Sequence, residues 1–552
     1  MDVTYDVANN NFVFHAGPRD TERMKMMPGS RYSRSLGGWK CKANMATVAT
    51  AAHIFRPGEI VPDSAASDAV SRIRTPRRPS TVPIHSGLRN YQAAAVQYMR
   101  GWSALIADEM GTGKTPTAIC AFPLTGPVLV VCSKSLIYNW AAEVTKWSTR
   151  TPYVIDGIIT KRRKTLAAAA EDPTAVVIIN YEGTLSHSRL LGYGNVVKLT
   201  DKERQPKELN EFEWAVMVVD EVHRIKEPKA KTTRACWALR TQADHAWGMT
   251  GTPVVNDADD VWAVMHFVEP DEWPVRSQYR EVLCDVRPGW FGGIENRGIH
   301  PHRLPLFDEI FQPRFIRRLK VDVLPELPDK THVEIRLPLS AKQAKAYKEM
   351  KKSMIASVDG DLLFAADPLT QAMRLREIAS AMPEMDGDFK ITGLTAPSNK
   401  LDKVIDIIEQ TDGPVVVFAE SARLVRFLNA ELQQAEYRSA AIWQDVPARA
   451  RQEFVDSFQA GELDVIVLTT GTGAEGITLT RSSTLVFAQQ SWSNARNAQA
   501  QDRIHRIGQD KGATIITLIS EGTIDERTAT VAAEKASNLE QVVRDQLLEE
   551  IR

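Results

Sequence analysis

The stretch SALIADEMGTGKTPTAI, residues 103–119, decides the fold of this chain. Residues 103–106 form an apolar run with the length of a buried strand, and the residues after Thr115 begin a helical pattern. Between them lies a loop with two glycines, Gly111 and Gly113. A strand, a glycine loop and a helix in this order are typical of α/β folds with a parallel sheet.

This loop has the composition of a phosphate-binding site. Backbone N–H groups of a tight glycine turn can wrap a phosphate, and the following helix N-terminus adds partial positive charge. Lys114 would then reach the β- and γ-phosphates, and the Thr115 hydroxyl would bind Mg²⁺. The general pattern has a glycine five residues before Gly113, where this chain has Asp108. We predict that the phosphates are held by Gly111, Thr112, Gly113, Lys114 and Thr115.

Two acidic residues form a second candidate site. The apolar run 215–219 ends in Asp220 and Glu221, about 100 residues after the loop. An acid at the end of a strand beside the phosphate loop can hold Mg²⁺, which assigns the metal to Asp220 together with Thr115. Glu221 can orient or deprotonate an attacking water. Two acidic residues after a strand more often lie in a solvent-exposed loop without a function. The assignment of Asp220 and Glu221 to catalysis therefore depends on their spacing from Lys114.

The strand and helix rhythm occurs twice along the chain. Short Val/Ile/Leu runs between helical patterns are typical of a parallel sheet that is covered on both faces. They lie at 103–106, 128–131, 175–179 and 215–219, and again at 415–418, 465–468, 484–487 and 514–518. We predict α/β lobes at 87–270 and 413–523, with a helical insertion and connection at 271–412.

The two ends of the chain differ from these lobes. Residues 1–60 predict a small basic α+β module, 61–86 a linker rich in Pro, Ser and Arg, and 524–552 a C-terminal helix. Residues 1–86 hold twelve basic and seven acidic side chains. The module is interpreted either as a cap on the first lobe or as a DNA-directing surface. The candidates for that surface are Arg31, Arg34, Trp39, Lys40 and Lys42.

Composition excludes several classes of protein. The 552 residues carry 68 basic and 69 acidic side chains, which excludes a histone-like polycation. Five cysteines without a C-x-x-C pair argue against a disulfide scaffold or a cysteine-rich zinc site. The N-terminus lacks a signal-peptide pattern, and no apolar run is long enough to span a bilayer. We expect an intracellular soluble protein of the cytoplasm or nucleoid.

Several stretches resemble the motifs of superfamily-two helicases. DEVH at 220–223 is similar to motif II, and QAQDRIHRIGQ at 499–509 closely resembles motif VI of the Swi/Snf-type ATPases. Related RNA helicases usually close motif VI with an arginine where this chain has Gln509. Thr478 in motif V and the short N-terminal module are closest in style to the small annealing-helicase branch. Further similar stretches are LRNYQ (88–92), VVCSKSL (130–136), INYE (179–182), MTGTP (249–253) and FIRRLK (315–320).

The resemblance implies two RecA-like lobes with ATP in the cleft between them. Gln92 would read the adenine, and Gly476 of motif V would also contact the nucleotide. Arg503 and Arg506 would act as arginine fingers. His505 between them is interpreted either as a packed structural residue or as a γ-phosphate sensor. The catalytic set is therefore Lys114, Asp220, Glu221, Arg503 and Arg506.

The resemblance also implies a DNA path across the tops of both lobes. Most of its contacts would go to backbone phosphates, so binding would be indifferent to sequence and sensitive to salt. Trp140 and Trp147, seven residues apart on a predicted helix, are interpreted as core packing instead. The implied DNA contacts are Ser133, Lys134, Asn180, Thr469, Thr470 and Trp492.

The function that these motifs imply is a DNA-stimulated ATP hydrolase that translocates along double-stranded DNA. It would remodel DNA structures or displace bound protein, and the expectation extends to annealing or fork remodelling. Two alternatives stay open: a strand-separating DNA or RNA helicase, and an ATPase subunit of a larger recombination or restriction complex. We expect ATP and Mg²⁺ as cofactors, double-stranded or branched DNA as partner, no membrane, and a monomer when free.

Overall fold

The chain forms two compact units, the first including Met1–Glu109 and Gly113–Leu319 and the second beginning at Lys320. The structure is a computed structural model, and it describes residues 1–75, 84–193, 199–251, 258–288, 294–358, 361–386, 390–473 and 477–530. In this part of the chain, none of the helices combines the length and apolar character needed to cross a membrane. The five cysteines, all of them described, are buried thiols.

The N-terminal module is a five-stranded sheet covered by helices. Its strands lie in the order β3-β4-β2-β1-β5, antiparallel except for the β1–β5 pair. The module is therefore α+β, as predicted. Its elements are β1 (Asp2–Asp6), β2 (Asn11–Phe14), α1 (Thr21–Lys25), β3 (Arg31–Ser33), β4 (Gly38–Lys42), α2 (Met45–Ile54), β5 (Val61–Pro62) and α3 (Ser64–Arg74).

Folded elements occupy much of the segment that we expected to be a linker, residues 61–86. Val61 and Pro62 pair with β1, and α3 buries Ala66 and Ala69 in the core of the module. A two-residue strand and a helix whose buried positions are alanines leave little hydrophobic pattern in the sequence. Residues 76–83 of the expected linker lie outside the described residues.

The first lobe is built on a seven-stranded sheet in the order β14-β6-β11-β10-β7-β9-β8, in which all pairs are parallel. Its strands are β6 (Ala104–Ile106), β7 (Val128–Cys132), β8 (Thr151–Ile155), β9 (Ala175–Asn180), β10 (Trp214–Asp220), β11 (Ala243–Met249) and β14 (Phe315–Ile316), with an antiparallel hairpin β12 (Cys284–Pro288) and β13 (Ile294–Ile299) beside them. Its helices are α4 (Asn90–Met99), α5 (Lys114–Ala121), α6 (Ile137–Trp147), α7 (Ile159–Ala170), α8 (Tyr181–His187), α9 (Asp201–Arg204), α10 (Lys231–Arg240), α11 (Ala258–Val268), α12 (Arg276–Leu283) and α13 (Leu304–Phe311).

The second unit holds a six-stranded parallel sheet in the order β15-β24-β23-β20-β22-β21. Its strands are β15 (Lys330–Leu337), β16 (Ile355–Val358), β17 (Asp361–Phe364), β18 (Met382–Met385), β19 (Ile391–Thr395), β20 (Val415–Ala419), β21 (Ser439–Ile442), β22 (Val465–Thr469), β23 (Thr484–Phe487) and β24 (Ala513–Ser520). Its helices are α14 (Lys320–Val323), α15 (Ala341–Ser353), α16 (Pro368–Ile378), α17 (Asn399–Gln410), α18 (Ala422–Gln434), α19 (Ala448–Ala460), α20 (Thr470–Gly473) and α21 (Asn494–Gln501). Residues 524–530 are helical, and the rest of the expected C-terminal helix lies outside the described residues.

Both sheets are buried on two faces, which explains the continuous apolar runs. Along β7, Leu129 and Val131 belong to one hydrophobic cluster, and Val128 and Val130 belong to another. Neighbouring positions of β20 divide between two clusters in the same way. The predicted pair of parallel-sheet lobes is confirmed.

The segment 271–412, expected to be a helical insertion, divides between the two units. Up to Leu319 it belongs to the first unit, where β14 adds a strand beside β6. From Lys320 it belongs to the second unit, where β15 pairs with β24 along its whole length. It also holds the antiparallel pairs β12–β13, β16–β17 and β18–β19 among its helices.

Helix α2 joins the N-terminal module to the first lobe. Ala46 and Ala49 are almost fully buried and belong to a hydrophobic core of the lobe, where α2 packs against α13. Asn44 donates from its amide to the carbonyl oxygen of Asp271 at 2.5 Å. The N–H of Ala46 donates to the Glu272 carboxylate at 2.7 Å. The small side chains of α2 therefore allow a close contact that larger ones would prevent.

We predict that Ala49→Leu lowers the free energy of unfolding by about 1–3 kcal/mol, because three extra carbons must enter a filled contact. Ala52→Leu is the matched control, since Ala52 lies exposed on the same helix, and its effect should stay within about 0.5 kcal/mol. Urea unfolding of both variants measures the difference. Equal effects of the two substitutions would contradict the packing of α2 against the lobe.

Candidate functional site

The glycine loop connects β6 to α5 at the carboxyl edge of the first sheet. Gly111 and Gly113 both have φ of 78°, in the left-handed region that favours glycine. A Cβ built on Gly113 would lie 2.4 Å from Nε2 of Gln92, which donates to the Gly113 carbonyl oxygen at 3.5 Å. Gln92 is buried against the loop. The predicted adenine-reading and phosphate-binding residues are therefore neighbours.

Lys114 is folded over the loop from the first turn of α5. Its ammonium group donates to the carbonyl oxygens of Asp108 at 2.8 Å and Glu109 at 3.1 Å. Thr115 follows in the same helical turn. The loop thus presents a cation and a hydroxyl at a helix N-terminus, and this set of groups fits a nucleoside triphosphate.

Asp108, which replaces the usual first glycine, is 3% exposed and forms an ion pair with Arg318. The Arg318 Nε donates to Asp108 Oδ1 at 3.0 Å, and Nη2 donates to Oδ2. Arg318 lies in the stretch FIRRLK that we noted in the sequence, but no role was predicted for it. The signal was present, because an acid in place of a glycine at a buried loop requires a partner.

Asp220 ends β10 and is 8% exposed. Burial, with the neighbouring charge of Glu221, raises the pKa of Asp220 to about 6, while the Trp140 hydrogen bond and Lys114 act in the opposite direction. The Trp140 indole donates to Asp220 Oδ2 at 2.9 Å. Trp140 is part of the core, as we interpreted it from the sequence, and it also stabilises the charged carboxylate.

The residues after Asp220 link two strand ends. Glu221 has φ of 54°, unusual for a residue other than glycine. Its carboxylate lies 3.4 Å from His223 Nδ1, which is also 3.2 Å from the Thr250 hydroxyl at the end of β11. The Tyr181 hydroxyl donates to the carbonyl oxygens of Asp220 and, at 3.1 Å, of Glu221. This turn therefore holds the Glu221 backbone in a defined position.

The oxygen groups of this edge fit a magnesium ion. Mg²⁺ prefers hard oxygen ligands and is usually held by one or two carboxylates together with substrate phosphates. Asp220 supplies a buried carboxylate, and its pKa is raised because burial and the neighbouring charge of Glu221 disfavour the charged form, which a cation would stabilise. Asp220 and Thr115 stay the residues predicted to hold the ion.

The predicted DNA contacts of the first lobe lie at the ends of two paired strands. Cys132 of β7 pairs with Asn180 of β9, so Ser133, Lys134 and Asn180 share one edge. Lys134 is exposed, whereas Ser133 and Asn180 are largely buried. The Asn180 amide donates to Glu182 at 2.7 Å. At this edge, Lys134 is the most accessible of the three predicted contacts.

Motif VI of the second unit is coupled to motif V. Arg506 donates from Nη1 to the Thr478 hydroxyl at 2.9 Å, and Arg503 donates to the carbonyl oxygens of Gln499 and Ile477 at 3.2 and 3.3 Å. Thr478 is the position at which we noted a departure from many relatives. Its hydroxyl accepts this hydrogen bond and so fixes the direction of the Arg506 side chain.

His505 and Gln509 have structural contacts. His505 Nε2 lies 2.7 Å from the Pro328 carbonyl oxygen, and burial lowers the pKa of the imidazole. Gln509 donates to the carbonyl oxygens of Thr480, Ser482 and Ile504. Of the two interpretations of His505, these contacts favour the packed structural residue.

The predicted DNA contacts of the second unit differ in access. Thr469 and Thr470 are 4% and 0% exposed, and Thr470 donates to the Ala419 carbonyl oxygen at 3.2 Å. Trp492 is 37% exposed, and the Arg376 guanidinium lies 5.7 Å from its ring centre. The predicted nucleotide contact Gly476 lies outside the described residues.

Two family models match the chain. The SNF2-related domain matches residues 89–383, and the helicase conserved C-terminal domain matches residues 399–508. Together they cover the phosphate loop, the strand-end acids and motif VI up to Gly508.

Curated relatives and a solved structure are also similar to this chain. The ISWI chromatin-remodeling complex ATPase ISW1 of Saccharomyces cerevisiae is 25% identical over 500 residues, covering 85% of this chain and 42% of the relative. Chromodomain-helicase-DNA-binding protein 8 of Xenopus tropicalis is 27% identical over 476 residues, with 79% and 21% covered. The Sulfolobus solfataricus SWI2/SNF2 ATPase core in complex with dsDNA is 22% identical with a TM-score of 0.39, covering 85% of this chain and 95% of that one. The chain thus spans less than half the length of these two curated relatives.

We predict that Trp140→Phe destabilises the protein more at pH 8 than at pH 5. A carboxyl with a raised folded-state pKa favours folding while it is protonated, and that contribution is lost as the pH rises through about 6. Removing the indole donor raises the pKa of Asp220 further and removes a bond to the charged form. The added loss at pH 8 should be about 1–2 kcal/mol, measured by urea unfolding.

Trp147→Phe is the matched control for this experiment. Trp147 ends the same helix, and its indole donates to Glu143 instead of Asp220. Its effect on stability should be the same at both values of pH. A pH-independent loss for Trp140→Phe as well would contradict the assigned contact with the charged carboxylate.

Proposed function

The chain belongs to the SNF2-related family of ATP-hydrolysing superfamily-two enzymes, and on that premise we propose that it is a DNA-stimulated ATPase that translocates along double-stranded DNA. The observation that carries the proposal is the presence of both matched halves in one chain, residues 89–383 and 399–508. Translocation would remodel DNA structures or displace bound protein. The names of the curated relatives, which include a chromatin-remodeling complex ATPase and a DNA excision repair protein, support this direction.

ATP would be held by the loop between β6 and α5. Lys114 would exchange its bonds to the loop carbonyls for bonds to the β- and γ-phosphates, because a charged phosphate oxygen is the stronger acceptor. Mg²⁺ held by Asp220 and Thr115 would supply neutralising charge to the phosphates. Glu221 would orient and deprotonate the attacking water, for which its defined backbone position is suited.

The second lobe would supply the arginines. Arg503 and Arg506 would stabilise the charge that develops on the transferred phosphoryl group, an effect worth roughly 10³–10⁵ in rate in related enzymes. The bond from Arg506 to Thr478 supports this role, because it fixes a flexible side chain before the reaction. A requirement for both lobes would make hydrolysis depend on their closure, and DNA would stimulate hydrolysis by promoting it.

DNA would contact the carboxyl edges of the two sheets. Lys134 and Trp492 are the accessible members of the predicted set and would make the direct contacts. Asn180, Thr469 and the other buried members would act through their backbone groups or after small movements. Phosphate contacts of this kind bind without sequence preference and weaken as salt rises.

The N-terminal module would direct the enzyme to branched DNA, as in fork remodelling or annealing. Arg31 and Lys40 are directly paired across β3 and β4, and both are exposed on the sheet face opposite the core of the module. Helix α2 packs into the first lobe, so this basic pair would be held rigidly relative to that lobe. The cap and the DNA-directing surface are therefore compatible roles for one module.

The ATPase rate should rise strongly with duplex DNA, less with single-stranded DNA, and not with RNA. The same preparation should displace the third strand of a triplex in an ATP-dependent assay. Forked DNA should bind more tightly than linear duplex, and the double substitution Arg31→Gln with Lys40→Gln should reduce that preference while leaving stimulation by linear duplex intact.

Glu221→Gln is the internal test of the chemistry. It should bind ATP, but its turnover rate should fall by about 10²–10⁴-fold, because a general base is removed. Glu227→Gln, an exposed residue six positions later, should behave as the wild type. Stimulation by RNA alone, or ATP-driven strand separation without triplex displacement, would instead favour the helicase alternative.

A further inference from the structure

We propose that Arg318 is a positioning residue for ATP hydrolysis, which keeps the phosphate-binding loop in its competent shape through its ion pair with Asp108. The inference rests on the proposed function, since it assigns a support to the loop that would bind ATP. It concerns a residue outside the loop, separated from Asp108 by 210 positions.

The three nitrogens of the Arg318 guanidinium group each donate a hydrogen bond. Two of them meet the two carboxylate oxygens of Asp108, the side-by-side arrangement that gives arginine its geometric specificity. A third donor, Nη1, meets the carbonyl oxygen of Tyr91, and the guanidinium carbon lies 5.2 Å from the Tyr91 ring centre. The side chain of Asp108 is 4% exposed and that of Arg318 is 19% exposed. Solvent therefore competes little for this pair.

Backbone bonds fix the same segment on both sides of Asp108. The N–H of Ala107 donates to the carbonyl oxygen of Ile316 at 2.7 Å, and the N–H of Glu109 donates to that of Arg318 at 3.0 Å. These bonds continue the parallel pairing of β14 with β6 into the start of the loop. Two backbone hydrogen bonds and one side-chain ion pair therefore hold residues 107–109 against residues 316–318.

Two of the residues held in this way, Asp108 and Glu109, also contact Lys114. Its ammonium group donates to the carbonyl oxygens of Asp108 and Glu109, so the orientation of these two peptide groups sets where the cation lies before ATP binds. Tyr91, the other partner of Arg318, directly precedes Gln92, which contacts Gly113. One guanidinium group therefore ties the predicted adenine-reading segment to the phosphate loop.

The strand β14, which ends two residues before Arg318, is held in place by contacts at its start. Arg314 lies 3.2 Å from Glu269 and 3.4 Å from Glu272, and Glu272 also accepts the bond from the N–H of Ala46 in the N-terminal module. β14 follows Arg314 immediately. The loop is thus supported by a short strand that follows Arg314, whose position is fixed by partly buried ion pairs and, through Glu272, by the module.

The test separates positioning from simple stabilisation. Arg318→Lys keeps the charge but loses the paired geometry and the bond to Tyr91. With saturating duplex DNA, its KM for ATP should rise about tenfold. Loss of a hydrogen bond between charged groups lowers the equilibrium population of the ordered loop by about this factor. Its affinity for DNA should stay at the wild-type value.

The matched control is Arg150→Lys. Arg150 is a buried arginine of the same unit whose donors meet the carbonyl oxygens of Pro123, Gly126 and Ala175, away from the loop. It should lower the unfolding temperature and leave the KM for ATP unchanged. A purely structural role of Arg318 would give this same result for Arg318→Lys and would overturn the proposal.

A double-mutant cycle that combines Arg318→Lys with Asp108→Asn tests the ion pair without relying on one variant alone. The KM increases of Arg318→Lys and Asp108→Asn should fail to multiply in the double variant, because both break one interaction. Increases that multiply would overturn the proposal. Lys114→Ala should abolish ATP binding; normal binding by that variant would overturn the proposed ATP site, and the inference with it.

Discussion

A parallel sheet buried on both faces leaves no place for polar side chains except at the ends of its strands. Strands β7 and β10 are apolar along almost their whole length, and their polar residues follow the last apolar position. Because neighbouring parallel strands end at the same edge, Ser133, Asp220 and Thr250 gather there with the glycine loop. Because the core excludes polar side chains, the polar groups that could take part in catalysis lie together at this edge of the sheet.

Asp220 is a functional group at this edge whose burial disfavours its charged form. Its carboxylate is buried enough that its pKa is raised to about 6, which makes the charged form costly in the absence of a cation. The Trp140 indole offsets part of that cost from within the core. A cation that arrives with the nucleotide would offset the rest, so the same burial that lowers stability increases the benefit of binding metal.

The sequence predicted best where one local pattern carried the information. Apolar runs predicted both sheets, and strand, glycine loop and helix predicted the position of Lys114. Features that depend on distant partners gave no such pattern: the two-residue strands β5 and β14, the alanine-faced helix α3, and the bond from Thr478 to Arg506. Arg318 lies 210 positions from Asp108, and only the unusual acid in the loop pointed to a missing partner.

The glycine loop and the buried carboxylate of Asp220 would together form one site for ATP and Mg²⁺. Calorimetric titration of ATP at pH 7.5, with and without Mg²⁺, tests it on the wild type and on Asp220→Asn. We expect Mg²⁺ to tighten ATP binding to the wild type and to have little effect on the variant, which should remain folded. An equal effect of Mg²⁺ on both proteins would contradict the claim.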